Sequence, residues 1–170
     1  HHAAAAAISA VAPLAASAAS SAAAASATAL TACTSSPPAT PPRCGIGNRG
    51  SSVVRDLYAT GAANVVALCD VNLGGEKTLK TMGIHKEAKR FRDFRVMFDK
   101  MGDKIDAVSV ATPDFSHFPI TILAMSLGKH VYVEKPLTRT FQESEILIRA
   151  AKKYNVATQM GNQGHCQDNY

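Results

Sequence analysis

The 170-residue chain has no tryptophan, and nothing before Arg43 carries a lysine, arginine, aspartate or glutamate. That absence divides the chain in two. Residues 1–43 are a leader rich in Ala, Ser, Thr and Pro, whose small side chains bury too little apolar area to offset the entropy of ordering a core. The folded unit is therefore expected within residues 44–170, a length suited to one domain rather than two. No strongly apolar run of membrane-spanning length occurs in the leader, and Pro13 interrupts its alanines, so a stable membrane span is not expected. The four cysteines (Cys33, Cys44, Cys69, Cys166) have neither CxxC nor zinc-ligand spacing, which argues against a metal centre and a disulfide framework. Cys69 lies in an apolar run and reads as a small buried hydrophobe. The net charge of +5 is modest, and the basic cluster Lys86, Lys89, Arg90, Arg92, Arg95 includes Glu87 and Asp93. A solvated face accounts for it, and no nucleic-acid motif accompanies it.

The leader resembles the apolar and cleavage parts of an export signal that lacks its charged start. Weakly apolar, Ala-rich segments are typical of twin-arginine signals, although no arginine pair is present. Leu30-Thr31-Ala32-Cys33 is similar to a lipoprotein cleavage box with a Ser/Pro tether after it. On that reading the protein is exported to the periplasm. The alternative is a leader with no targeting role and a cytoplasmic protein.

Beyond the leader the chain alternates strand and helix signals. Gly45-Ile46-Gly47-Asn48-Arg49-Gly50 matches G-x-G-x-x-G. In that motif the first glycine makes a tight turn, the second lets a pyrophosphate approach the backbone, and the third lets helix and strand pack closely. A helix is expected over 51–59, with an N-terminus suited to a phosphate. Residues 64–70 form an apolar run ending in Asp70, 20 positions after Gly50, where a ribose-binding carboxylate belongs. Further along, helices are expected over 75–82 and 94–101, with a short strand near 90–91. Residues 104–136 hold a βαβ unit: a strand at 107–111, a helix at 117–126 and a strand at 130–133. The two strands end in Thr112-Pro113 and Glu134-Lys135-Pro136. Ligands of open parallel sheets bind outside the carboxyl ends of the strands, so both clusters should face one crevice. Thr140 and Glu143 form a capping box that opens a helix to about residue 154, before a strand at 156–160. His130 starts its strand at the other end of the sheet, away from the crevice.

These signals predict an α/β doubly wound parallel sheet of the Rossmann type. One feature conflicts with it. Pro41-Pro42 precede Gly45, where a central strand should run, and prolines lack the N–H that a central strand needs. The first strand is accordingly expected to be disrupted.

With the glycine motif, Asp70, Thr112-Pro113, His117 and Glu134-Lys135-Pro136 in this order, residues 44–170 resemble the nucleotide-binding domain of the Gfo/Idh/MocA family. This is the group of glucose-fructose oxidoreductase and inositol dehydrogenase. Its E-K-P after the fifth strand is far rarer than a glycine fingerprint. The resemblance implies that Gly45, Gly47 and Gly50, with the backbone of Ile46, Asn48 and Arg49, cradle the cofactor's pyrophosphate. It implies that Asp70 binds the adenosine ribose, favouring NAD over NADP. Thr112 and Pro113 would line the nicotinamide ribose, His117 would border the site, and Glu134 would hold the nicotinamide side. Lys135 would be the catalytic residue, reaching the substrate hydroxyl, with a cis Lys135–Pro136 peptide. In hydride transfer from a sugar CH–OH the hydroxyl proton leaves with the hydride, so a group beside the oxygen must position or accept it. A lysine lowered in basicity by burial suits that task. A structural ion pair between Glu134 and Lys135 is the plainer alternative for those two residues.

The implied partner is a small sugar or polyol, with no nucleic acid. Members of the family commonly pair through a second, substrate-binding domain, which is expected to begin about where this chain stops. The chain alone is then expected to be inactive. Two rival readings are an NAD-dependent glycoside hydrolase of the same fold and a non-catalytic dinucleotide-binding fragment.

Overall fold

In a computed structural model of the protein, which describes residues 43–162, six parallel strands form one sheet in the order β3-β2-β1-β4-β5-β6. The strands are β1 (Arg43–Cys44), β2 (Ala67–Cys69), β3 (Lys89–Phe91), β4 (Ala107–Val110), β5 (His130–Glu134) and β6 (Thr158–Gly161). Between them run α1 (Asn48–Ala59), α2 (Glu76–Ile84), α3 (Phe94–Met101), α4 (His117–Ser126) and α5 (Phe141–Tyr154). The leader, and with it Cys33 and Pro41-Pro42, lies outside the described residues up to position 42, as do His165 and Cys166.

Strand periodicity decides which helix goes where. Successive side chains of a strand point to opposite faces. Val108 and Val110 of β4, Val131 and Val133 of β5, and Ala67 and Cys69 of β2 meet α3, α4 and α5 through Met97, Phe98, Ile120, Met125 and Leu147. The residues between them turn to the other face. Leu68 joins Ile46 and Val54 of the first turn and helix, together with Met82 of α2. Ala107 and Tyr132 join Val53 and Leu57 of α1. Helices cover both faces, so β2 and β4 are buried throughout and read in sequence as largely apolar runs, with Ser109 the one polar residue of β4.

β1 is only two residues long, in keeping with the expected disruption. It nonetheless stands at the centre of the sheet, pairing Cys44 with Cys69 of β2 on one side and with Val110 of β4 on the other. Two further bonds extend the ladder past its end, from the Gly45 N–H to the Cys69 carbonyl at 2.8 Å and from the Ala111 N–H to the Cys44 carbonyl at 2.9 Å. Neighbours on both sides hold the segment where its own length would not. Cys44 and Cys69 are both buried and free. Their mutual hydrogen bond, with burial second, raises the Cys44 thiol well above its ordinary range, so it is inert rather than nucleophilic.

Other boundaries shift by a turn or less. α1 starts at Asn48, inside the glycine motif. β2 spans Ala67–Cys69, with Ala63 making only an isolated bridge. The capping box at α5 is formed in both directions: Thr140 Oγ1 accepts from the Glu143 N–H at 3.2 Å, and Glu143 Oε2 accepts from the Thr140 N–H at 3.3 Å. The basic cluster is exposed, and Arg95 pairs with Asp93 at the start of α3. No helix among the described residues is long and apolar enough to cross a membrane.

His130 lies at the end of the sheet away from the glycine motif, as expected, and its Nδ1 accepts a hydrogen bond from the Ala157 N–H at 3.0 Å. That bond needs an unprotonated Nδ1. Burial lowers the imidazole below its ordinary value of 6.5; Asp106 opposes the lowering and Lys129 adds to it. The folded state then binds the proton less well than the unfolded chain, so this residue's contribution is intact above about pH 6.5 and is lost as the pH falls below it. Urea denaturation of the wild type and His130→Asn, which keeps an acceptor but does not titrate, should show the wild type losing more stability between about pH 7.5 and 5.5. Parallel pH profiles would refute the assignment.

Candidate active site

The crevice lies where the strand order reverses, between β1 and β4, and the glycine turn forms its floor. Gly45 has φ +77°, a left-handed conformation that costs a residue with a Cβ. A Cβ there would also meet the Ala111 carbonyl oxygen at 2.5 Å. A Cβ at Gly50 would lie 1.7 Å from the Gly45 carbonyl oxygen, which is impossible without moving backbone. Gly47 is different: nothing lies within 4 Å of the position its Cβ would take. The first and third glycines are thus required by the protein's own packing, while the second faces open space. Gly47 is also the N-cap of α1 and brings no side chain to satisfy the first-turn N–H groups. Those donors and the positive end of the helix are left available to an anion.

Asp70 sits beside this turn at the end of β2. Its Oδ2 accepts from the Ile46 N–H at 2.9 Å and its Oδ1 from the Asn72 N–H at 2.9 Å. Each oxygen retains acceptor capacity, and the carboxylate is held at the crevice edge instead of swinging free. Two residues that the sequence reading passed over brace the turn from α2. Thr81 Oγ1 donates to the Ile46 carbonyl at 3.2 Å, and Lys77 Nζ donates to Asn48 Oδ1.

On the other side of the crevice, Glu134 is only 5% exposed. Its Oε1 accepts from Arg49 Nε at 3.2 Å and from the Tyr132 hydroxyl at 3.0 Å. The carboxylate is therefore paired with Arg49 of the glycine motif and not with Lys135. Gly161, at the end of β6, is fixed by this arrangement, since a Cβ there would come 2.2 Å from the Tyr132 hydroxyl and 2.8 Å from Glu134 Oε1. Tyr132 and Gly161 were not singled out from sequence. A tyrosine inside a buried strand, two positions before a glutamate, was the available signal, because its hydroxyl needs a partner.

Lys135 is exposed, and no hydrogen bond or ion pair of its side chain is found among the described residues. The burial expected of it is not provided by these residues. The Lys135–Pro136 peptide is cis, as the resemblance implied. Thr112, after β4, has a buried Oγ1 with no partner among the described residues, a donor and acceptor free for a ligand hydroxyl. Pro113 is exposed at the rim. His117 lies beneath the loops that border the crevice. It is 1% exposed, with Nδ1 at 2.6 Å from the Pro136 carbonyl and Nε2 at 2.8 Å from the Thr112 carbonyl. Both ring nitrogens are occupied by backbone, so the ring offers a ligand nothing and instead touches the two loops that border the crevice. No group of three or more His, Cys, Asp or Glu side chains among the described residues could hold a metal ion.

The turn predicts a sharp contrast between two alanine substitutions. Gly50→Ala should destabilise by at least about 1–3 kcal/mol, because the displaced atoms are backbone. Gly47→Ala should stay within about 1 kcal/mol of wild type. Urea denaturation with a circular-dichroism signal measures both, and equal losses would contradict this account of the turn.

Comparison with known proteins agrees with the geometry. The family description "Oxidoreductase family, NAD-binding Rossmann fold" of the Gfo/Idh/MocA group matches residues 44–162. An inositol 2-dehydrogenase of Salmonella paratyphi B is 30% identical over 111 residues, covering 64% of this chain and 32% of that protein. A glycosyl hydrolase family 109 protein of Shewanella sp. strain ANA-3 is 31% identical over 115 residues, covering 64% of this chain and 25% of that protein. The crystal structure of a dehydrogenase from Chromobacterium violaceum superposes with a TM-score of 0.67 at 29% identity, over 74% of this chain and 36% of that one. The chain thus spans a quarter to about a third of the length of these relatives. With a six-stranded sheet in Rossmann order, a glycine turn open at its second glycine and a family match across residues 44–162, the chain belongs to the Gfo/Idh/MocA family of NAD-binding oxidoreductases.

Proposed function

We propose that residues 44–162 bind NAD in the crevice between β1 and β4, as the nucleotide-binding part of an oxidoreductase acting on a sugar or polyol hydroxyl. The observation that carries the reading is the glycine turn, with open space over Gly47, uncapped N–H groups at the start of α1 and the Asp70 carboxylate fixed beside it. The pyrophosphate would lie against the Gly45–Gly50 backbone, including Ile46, Asn48 and Arg49. Asp70 would accept from the adenosine ribose hydroxyls, and its charge would repel a 2′-phosphate, favouring NAD over NADP. Thr112 Oγ1, buried and without a partner among the described residues, would take a ribose hydroxyl, with Pro113 at the rim.

Bound NAD would supply the hydride acceptor. The chain's own part is to position the reacting carbon and to handle the hydroxyl proton. Lys135 is the residue proposed for that: it follows β5 at the same edge as Thr112, and its side chain is committed to nothing else among the described residues. Glu134, neutralised by Arg49 and oriented by Tyr132, would define the wall beside it.

Calorimetric titration with NAD and NADP tests the nucleotide site. Gly47→Ala and Asp70→Asn should each weaken NAD about tenfold, corresponding to about 1.4 kcal/mol. Asp70→Asn should also narrow the preference over NADP, since it removes the charge but keeps an acceptor for Ile46. Unchanged NAD affinity in both would overturn the assignment. In any preparation that turns over a sugar or polyol, Lys135→Met should lower kcat by about 10²–10⁴ with NAD affinity unchanged.

A second reading is favoured by one observation, the 31% identity to a glycosyl hydrolase family 109 protein. On that reading the bound NAD would be used transiently, and sugar cleavage would proceed without net accumulation of NADH.

A further inference from the structure

His117 stands at the first position of α4, beneath two loops that belong to different strands. The Thr112 carbonyl belongs to the loop after β4, and the Pro136 carbonyl to the turn after β5. Those strands are in register, with Val110 opposite Val133, and beyond that pair each loop leaves the sheet. The imidazole bridges them just past the point where the ladder stops.

Both ring nitrogens face backbone carbonyls, Nδ1 that of Pro136 at 2.6 Å and Nε2 that of Thr112 at 2.8 Å, and which nitrogen donates depends on the tautomer. His130 makes a different arrangement in the same protein, since its Nδ1 faces the Ala157 N–H.

We propose that His117 is a positioning residue: through its two ring nitrogens it ties the Thr112 loop to the Lys135-Pro136 turn and so sets the distance between the Thr112 hydroxyl and Lys135 along this edge of the crevice. It acts through the two carbonyls and touches no ligand. The loop after β4 carries the Thr112 hydroxyl, unpartnered among the described residues, and the turn after β5 carries Lys135, so one buried ring governs the spacing of these two groups. The functional half of the proposal rests on the reading of the crevice as an NAD site.

The test uses the full chain and two variants. His117→Asn places its amide near the Nδ1 position and can keep the bond to Pro136. His117→Gln places its amide near Nε2 and can keep the bond to Thr112. The proposal expects hydrogen exchange to accelerate mainly over 111–116 in His117→Asn and mainly over 134–138 in His117→Gln. Both variants should bind NAD about tenfold more weakly. Unchanged exchange in both segments, or unchanged NAD affinity in both variants, would overturn the proposal. A wild-type chain that binds no NAD would count against the NAD-site reading alone, and the exchange measurements would still decide the tie.

Discussion

The close approach of Gly50 to the Gly45 carbonyl is the constraint on which the remaining structure depends. It brings the start of α1 directly over the end of β1, with no room for a side chain between them. β1 is the central strand, with β2 on one side and β4 on the other, so whatever fixes the turn after it fixes both halves of the sheet relative to one another. The short strand is compensated by this setting. Backbone bonds continue its ladder on both sides, Asp70 holds the Ile46 N–H from β2, and Thr81 holds the Ile46 carbonyl from α2. The same economy leaves Gly47 as the one glycine of the three whose Cβ position is unopposed, and that gap is the place proposed for a phosphate.

The second organising contact crosses the crevice. Arg49 belongs to the β1 half and Glu134 to the β5 end, and their ion pair joins the two sides of the switch point. Glu134 is nearly buried while the Arg49 side chain is 44% exposed, so the pair lies between core and solvent. Removing Arg49 would leave a buried carboxylate with only part of its satisfaction, which costs more than the pair itself contributes. Tyr132 and Gly161 exist in their particular forms to fit around that carboxylate. This side of the site is therefore built as a packed polar unit, whereas the glycine side is built of backbone.

Much of this was legible in the sequence, for reasons that can be named. The glycine spacing, the acid at the end of β2 and the E-K-P turn are local signals whose meaning depends on a few neighbouring residues. β2 and β4 read closely because burial on both faces makes them largely apolar. What was not legible depended on contacts between residues far apart in the chain. Glu134 finds Arg49 85 positions away, not its neighbour Lys135. His117 turns beneath two loops, not into the crevice, because both carbonyls are presented to it only after β4 and β5 are in register. Pro41-Pro42 led to an expectation of a disrupted central strand, and β1 is only two residues long; what the sequence did not show is that this short segment pairs on both sides. Propensity along the chain could not weigh the support that neighbouring strands give.

The central claim is that the crevice over the glycine turn is where this chain meets NAD. Residue-resolved nuclear magnetic resonance of the labelled chain, titrated with NAD, addresses it most directly. The account predicts saturable shifts concentrated at the backbone of Gly45, Ile46, Gly47, Asn48, Arg49 and Gly50, with further shifts at Asp70, Thr112 and Lys135. Saturable shifts confined to another part of the sheet, or a spectrum of a folded chain that NAD leaves unchanged, would contradict it.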